Sequence, residues 1–477
     1  MSSGNAQLSP RLRRTATGPR MGVLAIMEMR ANTELQPGEA LRAGRYEIKQ
    51  LRRSAPDKNL YLAEDRALAC QVVIDVFPNN NSILPNGLTV GAWEASVLGQ
   101  LGDHPNIAKA HDYWEEGKTA VMVTRYLAGG TLADLITGSQ EPEGGLPVER
   151  IIQLSTEIAR GLEHIHGRRI LYRDLQPRNV LLDEWGVVHL VDFDTAVSLD
   201  ERDRSDLSER PVIVYTAPEV TDGGAVDERS DLYSLGATMY EMVAGHPTFA
   251  GTRETILVAR RVSPPPALER NDLPAGLREL IFSLLAPKPE RRLASVADAI
   301  RRLDGIRAAR AEIEQLLTGD ETATLEFKSS LRTPIAALTK EEKIHISSIQ
   351  RDLEHAVLKT LAAFLNSYGG TLVIGVADDH SIIGIDVDYP TTKGSSDGWR
   401  LKFDRLVSQH LGNGALNFID LRLEPWSGRT IAIVKCSKRE EPTLIGDDEL
   451  FVRRTASSVK LSTREALAWW RERRGSF

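Results

Sequence analysis

The sequence is poor in cysteine and has no long apolar run. Its two cysteines, Cys70 and Cys436, stand far apart in a chain of 477 residues. A disulfide framework or a cysteine-based zinc cluster needs more cysteines at closer spacing, so neither is available. No apolar stretch approaches the roughly 18 residues that a membrane-spanning helix needs. These absences predict a cytoplasmic protein with no membrane partner.

A strong excess of positive charge is also lacking. The formal net charge is −7, with 42% hydrophobic and 26% charged residues, which is ordinary for a globular protein. The whole chain is therefore not a basic coat for nucleic acid. Only its end is basic, and this cluster fits either a phosphate-facing patch or a solvated helix face. Its members are Arg453, Arg454, Lys460, Arg464, Arg471, Arg473 and Arg474.

The length predicts two or three domains, because one hydrophobic core rarely organises so long a chain. Residues 1–40, rich in Ser, Arg, Gly and Pro, are typical of a disordered tail. Residues 41–310 have strand patterns first and helix patterns later, which predicts an α+β fold. Residues 311–320 are predicted to be a linker. Residues 321–477 mix strand and helix patterns and predict a smaller α/β domain.

Hydrophobic periodicity predicts the individual elements of both domains. In the first domain, strands are predicted over 46–51, 60–63, 72–77, 107–114 and 120–125, and helices over 88–101, 148–166 and 303–317. In the second, strands are predicted over 324–328, 371–376, 382–385, 418–423, 430–435 and 449–453, and helices over 351–366 and 463–473.

The strongest local signal is YRDLQPRNVLLD, from Tyr172 to Asp183, followed by VDFD from Val191 to Asp194. Phosphoryl transfer needs a carboxylate near the attacking hydroxyl and oxygen ligands that hold magnesium on the phosphates. These two motifs supply residues of both kinds. APE, ending at Glu219, and DLYSLG, ending at Gly236, extend the pattern.

These motifs resemble those of the protein kinases, and the overall likeness is to bacterial Ser/Thr protein kinases of the eukaryotic type. The resemblance implies a bilobal α+β fold, ATP and Mg²⁺ as cofactors, and a protein substrate. It also implies a structural ion pair between Glu219 and Arg291. The site roles it implies are Asp174 as catalytic base, Asn179 and Asp192 as metal ligands, and Glu94 as the glutamate of the helix flanking the nucleotide.

The sequence departs from this family where the phosphates are normally held. Glycines let backbone N–H groups approach phosphates closely, but the segment LRRSAPDKNLYLAED has none. The strand lysine of the family is replaced by Asp75, a like charge to Glu94. Arg53, Ala55 and Lys58 occupy the three glycine positions, while Gln176, Val212 and Asp194 replace a lysine, a threonine and a glycine near the reacting atoms.

Two interpretations of these departures remain open. In the first, the domain is a pseudokinase, which keeps the fold and nucleotide binding without phosphoryl transfer. In the second, Lys58 supplies the missing cation, because it stands where the with-no-lysine kinases place their substitute lysine.

Three separated segments resemble the Schlafen AlbA-type module. They are ETATLEFK at 321–328, AAFLNSYGGTLVIGVADDHSIIGID at 362–386 and FVRRTASSVKLSTREA at 451–466. The resemblance implies a DNA- or RNA-binding domain of the kind found in bacterial regulators and defence proteins. Lys328, Arg453, Arg454 and Lys460 would contact phosphates.

The same resemblance offers a catalytic alternative. Some Schlafen proteins are metal-dependent RNases, and Glu321, Glu326 and Asp378 match their carboxylates, which would hold Mg²⁺ or Mn²⁺. Alternatively, Glu326 forms a strand-end ion pair with Lys328, and Asp378 caps a turn. The sequence therefore predicts a signalling protein that couples a Mg-ATP-binding kinase-like domain to a DNA- or RNA-binding output. A pseudokinase switch and a metal-dependent nuclease are the alternatives.

Overall fold

The computed structural model describes residues 34–56, 58–78, 84, 87–116, 119–141, 144–199, 212–334, 346–446 and 448–474. Most of the tail predicted over residues 1–40 lies outside these ranges. The chain divides into two compact units. The first comprises residues 1–130, 164–174 and 179–209, and the second comprises residues 131–163, 175–178 and 210–477. None of the helices in the described ranges combines the length and apolar composition needed to span a bilayer.

The first unit is built on a six-stranded antiparallel sheet in the order β1-β2-β3-β4-β6-β5. Its strands are β1 (Ala40–Leu41), β2 (Tyr46–Ser54), β3 (Asn59–Asp65), β4 (Cys70–Pro78), β5 (Ala110–Glu116) and β6 (Thr119–Arg125). Side chains alternate between the two faces of a strand, so Tyr61 and Ala63 of β3 share a buried face with Val72 and Ile74 of β4. The predicted β-rich beginning is confirmed.

One helix, α1 (Val90–Leu101), carries Glu94 in this unit. The Thr89 hydroxyl caps the helix by accepting a hydrogen bond from the Ala92 backbone N–H at 3.2 Å. Four short strands follow, β7 (Ile170–Leu171), β8 (Val180–Leu182), β9 (Val188–Leu190) and β10 (Val197–Ser198). Strand β7 pairs with β10, and β8 pairs with β9. The strand predicted from residue 107 begins only at Ala110, and Ile107 makes a single bridge to Leu190.

The second unit begins with helices, as predicted. They are α2 (Leu132–Thr137), α3 (Val148–His166), α4 (Pro218–Thr221), α5 (Glu228–Ala244), α6 (Arg253–Val262), α7 (Ala275–Leu284) and α8 (Val296–Leu317). The ion pair expected between Glu219 and Arg291 is instead made by Arg292, with its Nη1 2.7 Å from Glu219 Oε1 and its Nη2 2.9 Å from Oε2. The prediction was wrong by one residue, because the short 3₁₀ turn Pro289–Arg291 turns the next side chain inward and leaves Arg291 exposed.

A four-stranded sheet in the order β11-β12-β14-β13 organises the rest of this unit, with β11 parallel to β12 and the other pairs antiparallel. Its elements are β11 (Leu325–Lys328), α9 (Ile346–Asn366), β12 (Gly370–Ile374), α10 (Ser396–His410), β13 (Ile419–Trp426) and β14 (Arg429–Cys436). The chain closes with β15 (Leu444–Ile445), β16 (Glu449–Arg454), β17 (Ser457–Lys460) and α11 (Thr463–Arg474). The strand predicted over 382–385 is wrong, because Ile382 makes only a bridge to Val376 and a 3₁₀ helix starts at Ile385.

Both faces of this sheet are covered by helices. Helices α9 and α10 cover one face with a cluster that includes Phe364 and Trp399. On the opposite face, Ile313 and Leu317 of α8 pack against a cluster that includes Val373 and Ile433. Residues 311–317, at the start of the predicted linker, are therefore helical and supply part of the core beneath the sheet.

Candidate functional site

Lys58 is the central residue of the candidate nucleotide site. Its ammonium Nζ lies 2.9 Å from Asp192 Oδ1 and 3.5 Å from Glu94 Oε2. It also lies 5.4 Å from the centre of the Phe77 ring, within the range of a cation–π contact. The side chain is only 8% exposed. The turn between β2 and β3 therefore sends a buried cation to the two acidic residues that the sequence analysis singled out.

Four carboxylates act on this lysine. Burial alone would lower the pKa of Lys58, but the negative charges of Glu94, Asp192, Asp75 and Asp194 outweigh it and hold that pKa well above its ordinary value. Lys58 therefore stays charged. It places a positive charge beside Glu94, although Asp75 stands where the family has its strand lysine.

Asp75 and Glu94 are buried and incompletely hydrogen-bonded. Asp75 Oδ1 and Glu94 Oε2 have no hydrogen-bond partner among the described residues. Burial raises the pKa of both carboxyl groups, and the charge of Lys58 opposes that rise. The other oxygen of Glu94 accepts a hydrogen bond from the Phe193 backbone N–H at 3.1 Å. Glu94 thus connects helix α1 to the VDFD segment as well as to Lys58.

Asp174 and Asn179 form the second half of the site within the same unit. Asn179 Nδ2 donates to Asp174 Oδ2 at 2.6 Å and to the Asp174 carbonyl at 3.0 Å. The Val191 backbone N–H donates to the Asn179 carbonyl at 3.1 Å, which brings the catalytic-loop motif beside the VDFD motif. The Tyr172 hydroxyl donates to the Val191 carbonyl and reinforces this contact. The structure thus brings together the residues that the motif spacing predicted.

Two of these residues have oxygen atoms suited to a divalent cation. Asn179 uses its nitrogen for Asp174, and Asp192 uses Oδ1 for Lys58, so Asn179 Oδ1 and Asp192 Oδ2 accept no hydrogen bond from the described residues. Carboxylate and amide oxygens are ligands that Mg²⁺ accepts. Asp192 also has a φ of 63°, a conformation that few non-glycine residues adopt and that is common at functional sites. The arrangement fits Mg²⁺ held by Asn179 and Asp192.

The carboxylates proposed for a nuclease do not assemble in this way. Among the described residues, no group of three or more His, Cys, Asp or Glu side chains could hold a metal ion. Glu326 is buried and bound by Lys328 at 2.6 Å and by Arg453. Glu321 Oε1 accepts a hydrogen bond from the Phe327 backbone N–H at 2.9 Å, and Asp378 is exposed. The expected metal site of Glu321, Glu326 and Asp378 is therefore corrected, because their oxygens serve local hydrogen bonds or face solvent.

The environment of Arg453 also disagrees with its predicted role in phosphate contact. Its side chain is 0% exposed and forms an ion pair with Glu326. Its Nη2 donates to the Thr322 carbonyl at 2.7 Å, and its guanidinium lies 5.0 Å from the Phe364 ring centre. A phosphate cannot reach this buried group, so Arg453 is a structural residue that joins β16 to the region around β11.

The other predicted phosphate-contact residues differ in their availability. The Lys328 side chain is 27% exposed and binds both Glu326 and the Phe327 carbonyl. Lys460 is half exposed and pairs with Glu449 at 2.6 Å. Arg454 is 62% exposed, and its carboxylate partner lies 4.0 Å away. Arg454 is thus the most available cation of the predicted set.

These features define a protein-kinase-like fold. They are the antiparallel sheet with its buried lysine–glutamate pair, the Asp174–Asn179 loop and the helices that follow. Comparison with known families agrees. Residues 79–302 match the family model described as protein kinase domain, and residues 321–462 match the model described as Schlafen, AlbA_2. The chain therefore carries a protein kinase domain followed by a Schlafen AlbA_2 domain. The kinase match begins after β4, so Lys58 and Asp75 lie outside the matched range.

Bacterial Ser/Thr kinases are similar to slightly more than half of the chain. A probable serine/threonine-protein kinase of Clostridium perfringens is 30% identical over 275 residues, which is 55% of this chain and 38% of that protein. The DNA damage-responsive serine/threonine-protein kinase RqkA of Deinococcus radiodurans is 33% identical over 276 residues, 55% of this chain and 39% of its own. The serine/threonine-protein kinase PknA of Mycobacterium tuberculosis is 28% identical over 277 residues, 56% and 62% respectively. The chain thus spans less than two thirds of each of these curated relatives.

Proposed function

We propose that the kinase domain binds Mg-ATP and phosphorylates Ser or Thr residues, with Lys58 in place of the missing strand lysine. The contact of Lys58 with Asp192 and Glu94 is the observation that supports this proposal. Lys58 holds the two acidic residues together and offers its charge to a phosphate. Asn179 and Asp192 would hold Mg²⁺, which would neutralise charge on the phosphates.

Asp174 accepts the proton of the substrate hydroxyl in this proposal. Its hydrogen bond to Asn179 fixes the carboxylate relative to the metal-binding residues. A general base must lie within hydrogen-bond reach of the proton it removes, and a carboxylate held in one orientation satisfies that requirement. The bulky residues that replace the loop glycines would weaken the backbone cradle for the phosphates, so we expect slow transfer.

The test uses the full chain with Mg-ATP and two measurements, the thermal shift of the protein and transfer of labelled phosphate to itself or to a basic protein substrate. Lys58→Met is expected to lose both signals, because the carboxylates around it are left without their cation. Asp174→Asn is expected to keep the thermal shift and lose at least about 100-fold in transfer, the range of general-base catalysis.

Lys49→Met is the matched control, because Lys49 lies on the neighbouring strand β2 and pairs with Glu47 and Glu64 on the surface. It should behave as the unmodified protein. Equal labelling of Asp174→Asn and unmodified protein would refute phosphoryl transfer by this site. A thermal shift without any transfer would instead support the alternative, a pseudokinase switch.

We further propose that the Schlafen AlbA_2 domain binds DNA or RNA and is the output of a regulatory or defence protein. The family match and the exposed Arg454 support this proposal. Labelled oligonucleotides titrated with the full chain test it, and Arg454→Ala should weaken the binding. Absence of binding to any single- or double-stranded probe at low salt would refute it.

A further inference from the structure

Tyr368 is the most exposed of the large hydrophobic or aromatic side chains found exposed in the described ranges, at 83%. It lies in the turn between α9 and β12. The backbone around it is held in place, because the N–H groups of Ser367 and Gly369 both donate to the Phe364 carbonyl, at 3.1 and 3.0 Å. Gly369 has a φ of 80°, and a Cβ there would lie 2.5 Å from the Cys436 carbonyl oxygen. The turn thus presents an aromatic ring to solvent from a firmly packed backbone.

Separate segments that carry cationic residues pack their backbones against this turn. On one side, the Arg453 backbone N–H donates to Ser367 Oγ at 2.8 Å, which places β16 and its exposed Arg454 beside the turn. On the other side, the Lys438 backbone nitrogen lies 3.4 Å from where a Cβ on Gly369 would be. Lys438 is exposed, and no ion pair involves it among the described residues.

Helix α11 contributes a third cation. Arg473 Nη1 donates to the Asn366 carbonyl at 2.5 Å, and the guanidinium lies 4.7 Å from the Trp469 ring centre. This arginine fixes the end of α9 next to Tyr368. The nearest carboxylate oxygen of Glu465 lies 4.0 Å from Arg454. Such a solvated ion pair is weak, so a phosphate can replace the carboxylate.

An exposed ring with flanking cations suits one class of ligand. Single-stranded nucleic acid offers unpaired bases that stack on aromatic side chains and phosphates that pair with Lys and Arg. In a duplex the bases already stack on each other, so only the phosphates would be available. The sequence conceals this arrangement because Tyr368, Lys438 and Arg454 are far apart along the chain.

We propose that Tyr368 is a base-stacking residue for single-stranded nucleic acid, with Arg454 and Lys438 at the adjacent phosphates. The inference rests on the proposed nucleic-acid function of the Schlafen AlbA_2 domain and specifies its substrate class. RNA and DNA strands share the required chemistry.

The test measures fluorescence anisotropy of labelled 12-nucleotide RNA and DNA strands, and of the corresponding duplexes, with the full chain. Tyr368→Ala should weaken single-strand binding by about 5- to 150-fold, the range for loss of one base stack, and leave duplex binding unchanged. Tyr368→Phe keeps the ring and should stay within about 2-fold of the unmodified protein. Trp185→Ala, which removes a 73% exposed aromatic residue of the first unit, is the matched control and should bind normally.

The outcomes separate this inference from the function on which it rests. Loss of single-strand affinity in Tyr368→Ala, with retention in Tyr368→Phe, supports base stacking, and comparison of the RNA and DNA strands identifies the preferred ligand. Unchanged single-strand affinity of Tyr368→Ala, beside weaker binding by Arg454→Ala, would overturn the stacking role and leave nucleic-acid binding standing. Failure of the unmodified protein to bind any probe would overturn both.

Discussion

The positive charge that a protein kinase is expected to carry at position 75 is found in this chain at position 58. The strand position that resembles the family's lysine carries a buried carboxylate, and the loop position that resembles a glycine carries the buried ammonium. Lys58 lies beside both Glu94 and Asp192, and the charge of Asp75 acts on Glu94. Compared with the family pattern, the cation beside Glu94 and Asp192 thus comes from the loop and not from the strand.

The position of this cation can be tested by returning a lysine to the strand. Lys58→Met should abolish the Mg-ATP thermal shift, and the second change Asp75→Lys should restore a large part of it by returning a cation to Glu94 from β4. The measurement is the increase in Tm at saturating Mg-ATP, which depends on ligand concentration relative to Kd.

The double variant Lys58→Met with Asp75→Asn is the control, because it removes the buried carboxylate without adding a cation. It should show no recovery of the Tm increase with Mg-ATP. Equal Tm increases in the two double variants would contradict the proposal that Lys58 supplies the cation of the missing strand lysine.

Arg453 and Arg454 are neighbours in sequence with opposite environments. Arg453→Met should destabilise the protein by about 3–5 kcal/mol, because it leaves Glu326 buried without its guanidinium partner. Arg454→Met should change the free energy of unfolding by less than about 0.5 kcal/mol, because its side chain is mostly solvated. Urea unfolding of the two variants measures both values, and similar losses would contradict the assigned burial of Arg453.

The cost of Arg453→Met should depend on pH. Burial disfavours the charged form of Glu326, but hydrogen bonds and charges from Lys328 and Arg453 outweigh it and lower its pKa from the ordinary 4.5. A lowered folded-state pKa stabilises the fold above the unfolded value, and this stabilisation is lost as the pH falls through the folded value. The difference in unfolding free energy between unmodified protein and Arg453→Met should therefore shrink on acidification below the ordinary value of 4.5.

At the scale of elements, the most consequential one is α8. Its first part belongs to the helical region of the kinase domain, where Leu303 is buried, and Arg310 forms an ion pair with Glu149 of α3. The same Arg310 guanidinium lies 4.6 Å from the Trp426 ring centre on β13. The last part of α8 then covers the Schlafen AlbA_2 sheet through Ile313 and Leu317. One continuous helix therefore serves the cores of two domains.

Removing part of this cover should loosen the sheet. Ile313→Ala is expected to cost about 2–5 kcal/mol, the usual range for truncating a buried isoleucine. Hydrogen exchange of β14 measures the effect, because its residues Ile431 and Ile433 lie in the same cluster. Val258→Ala, at an exposed position of α6, is the control and should leave the exchange of β14 unchanged.

Sequence patterns predicted the elements better than the environments of individual charged residues. The kinase resemblance assigns Lys58, Glu94 and Asp192 positions around one phosphate site, and the structure places Lys58 in contact with both acidic residues. No motif assigns separate positions to Arg453 and Arg454, and in the sequence both look like surface cations. Strand alternation does not separate the two, because Arg453 shares a face with the buried Phe451 while Arg454 shares the other face with the buried Val452.

The carboxylates of the second domain show the limit of motif transfer. Glu326 occupies the expected place on β11, but the arginine that engages it comes from a strand 127 residues later in the chain. Likewise, Tyr368 gains cationic neighbours only through turns that bring three segments together. Local spacing has no information about such pairings, because they depend on how distant segments pack.

At the scale of the whole molecule, the chain is acidic, with a net charge of −7. Nucleic-acid binding should therefore depend on a few local cations. If Arg454 and Lys438 each neutralise one phosphate of a single strand, the logarithm of the binding constant should fall with the logarithm of salt concentration with a slope near −1.4.

Arg454→Ala should reduce the magnitude of this slope to about 0.7, since one phosphate contact is lost. Titrations between roughly 50 and 200 mM salt measure it. A slope several times steeper in the unmodified protein would place the main contact on a different and larger basic surface.

The shared helix α8 also bears on how such a protein could be recombined. The seam between the kinase and Schlafen AlbA_2 domains runs through a helix and not through a tether. A gene fusion joined at residue 320 would separate the Schlafen sheet from Ile313 and Leu317 and expose its apolar face to water. Exchange of the output domain, in evolution or in the laboratory, should therefore succeed only when the second half of α8 travels with it.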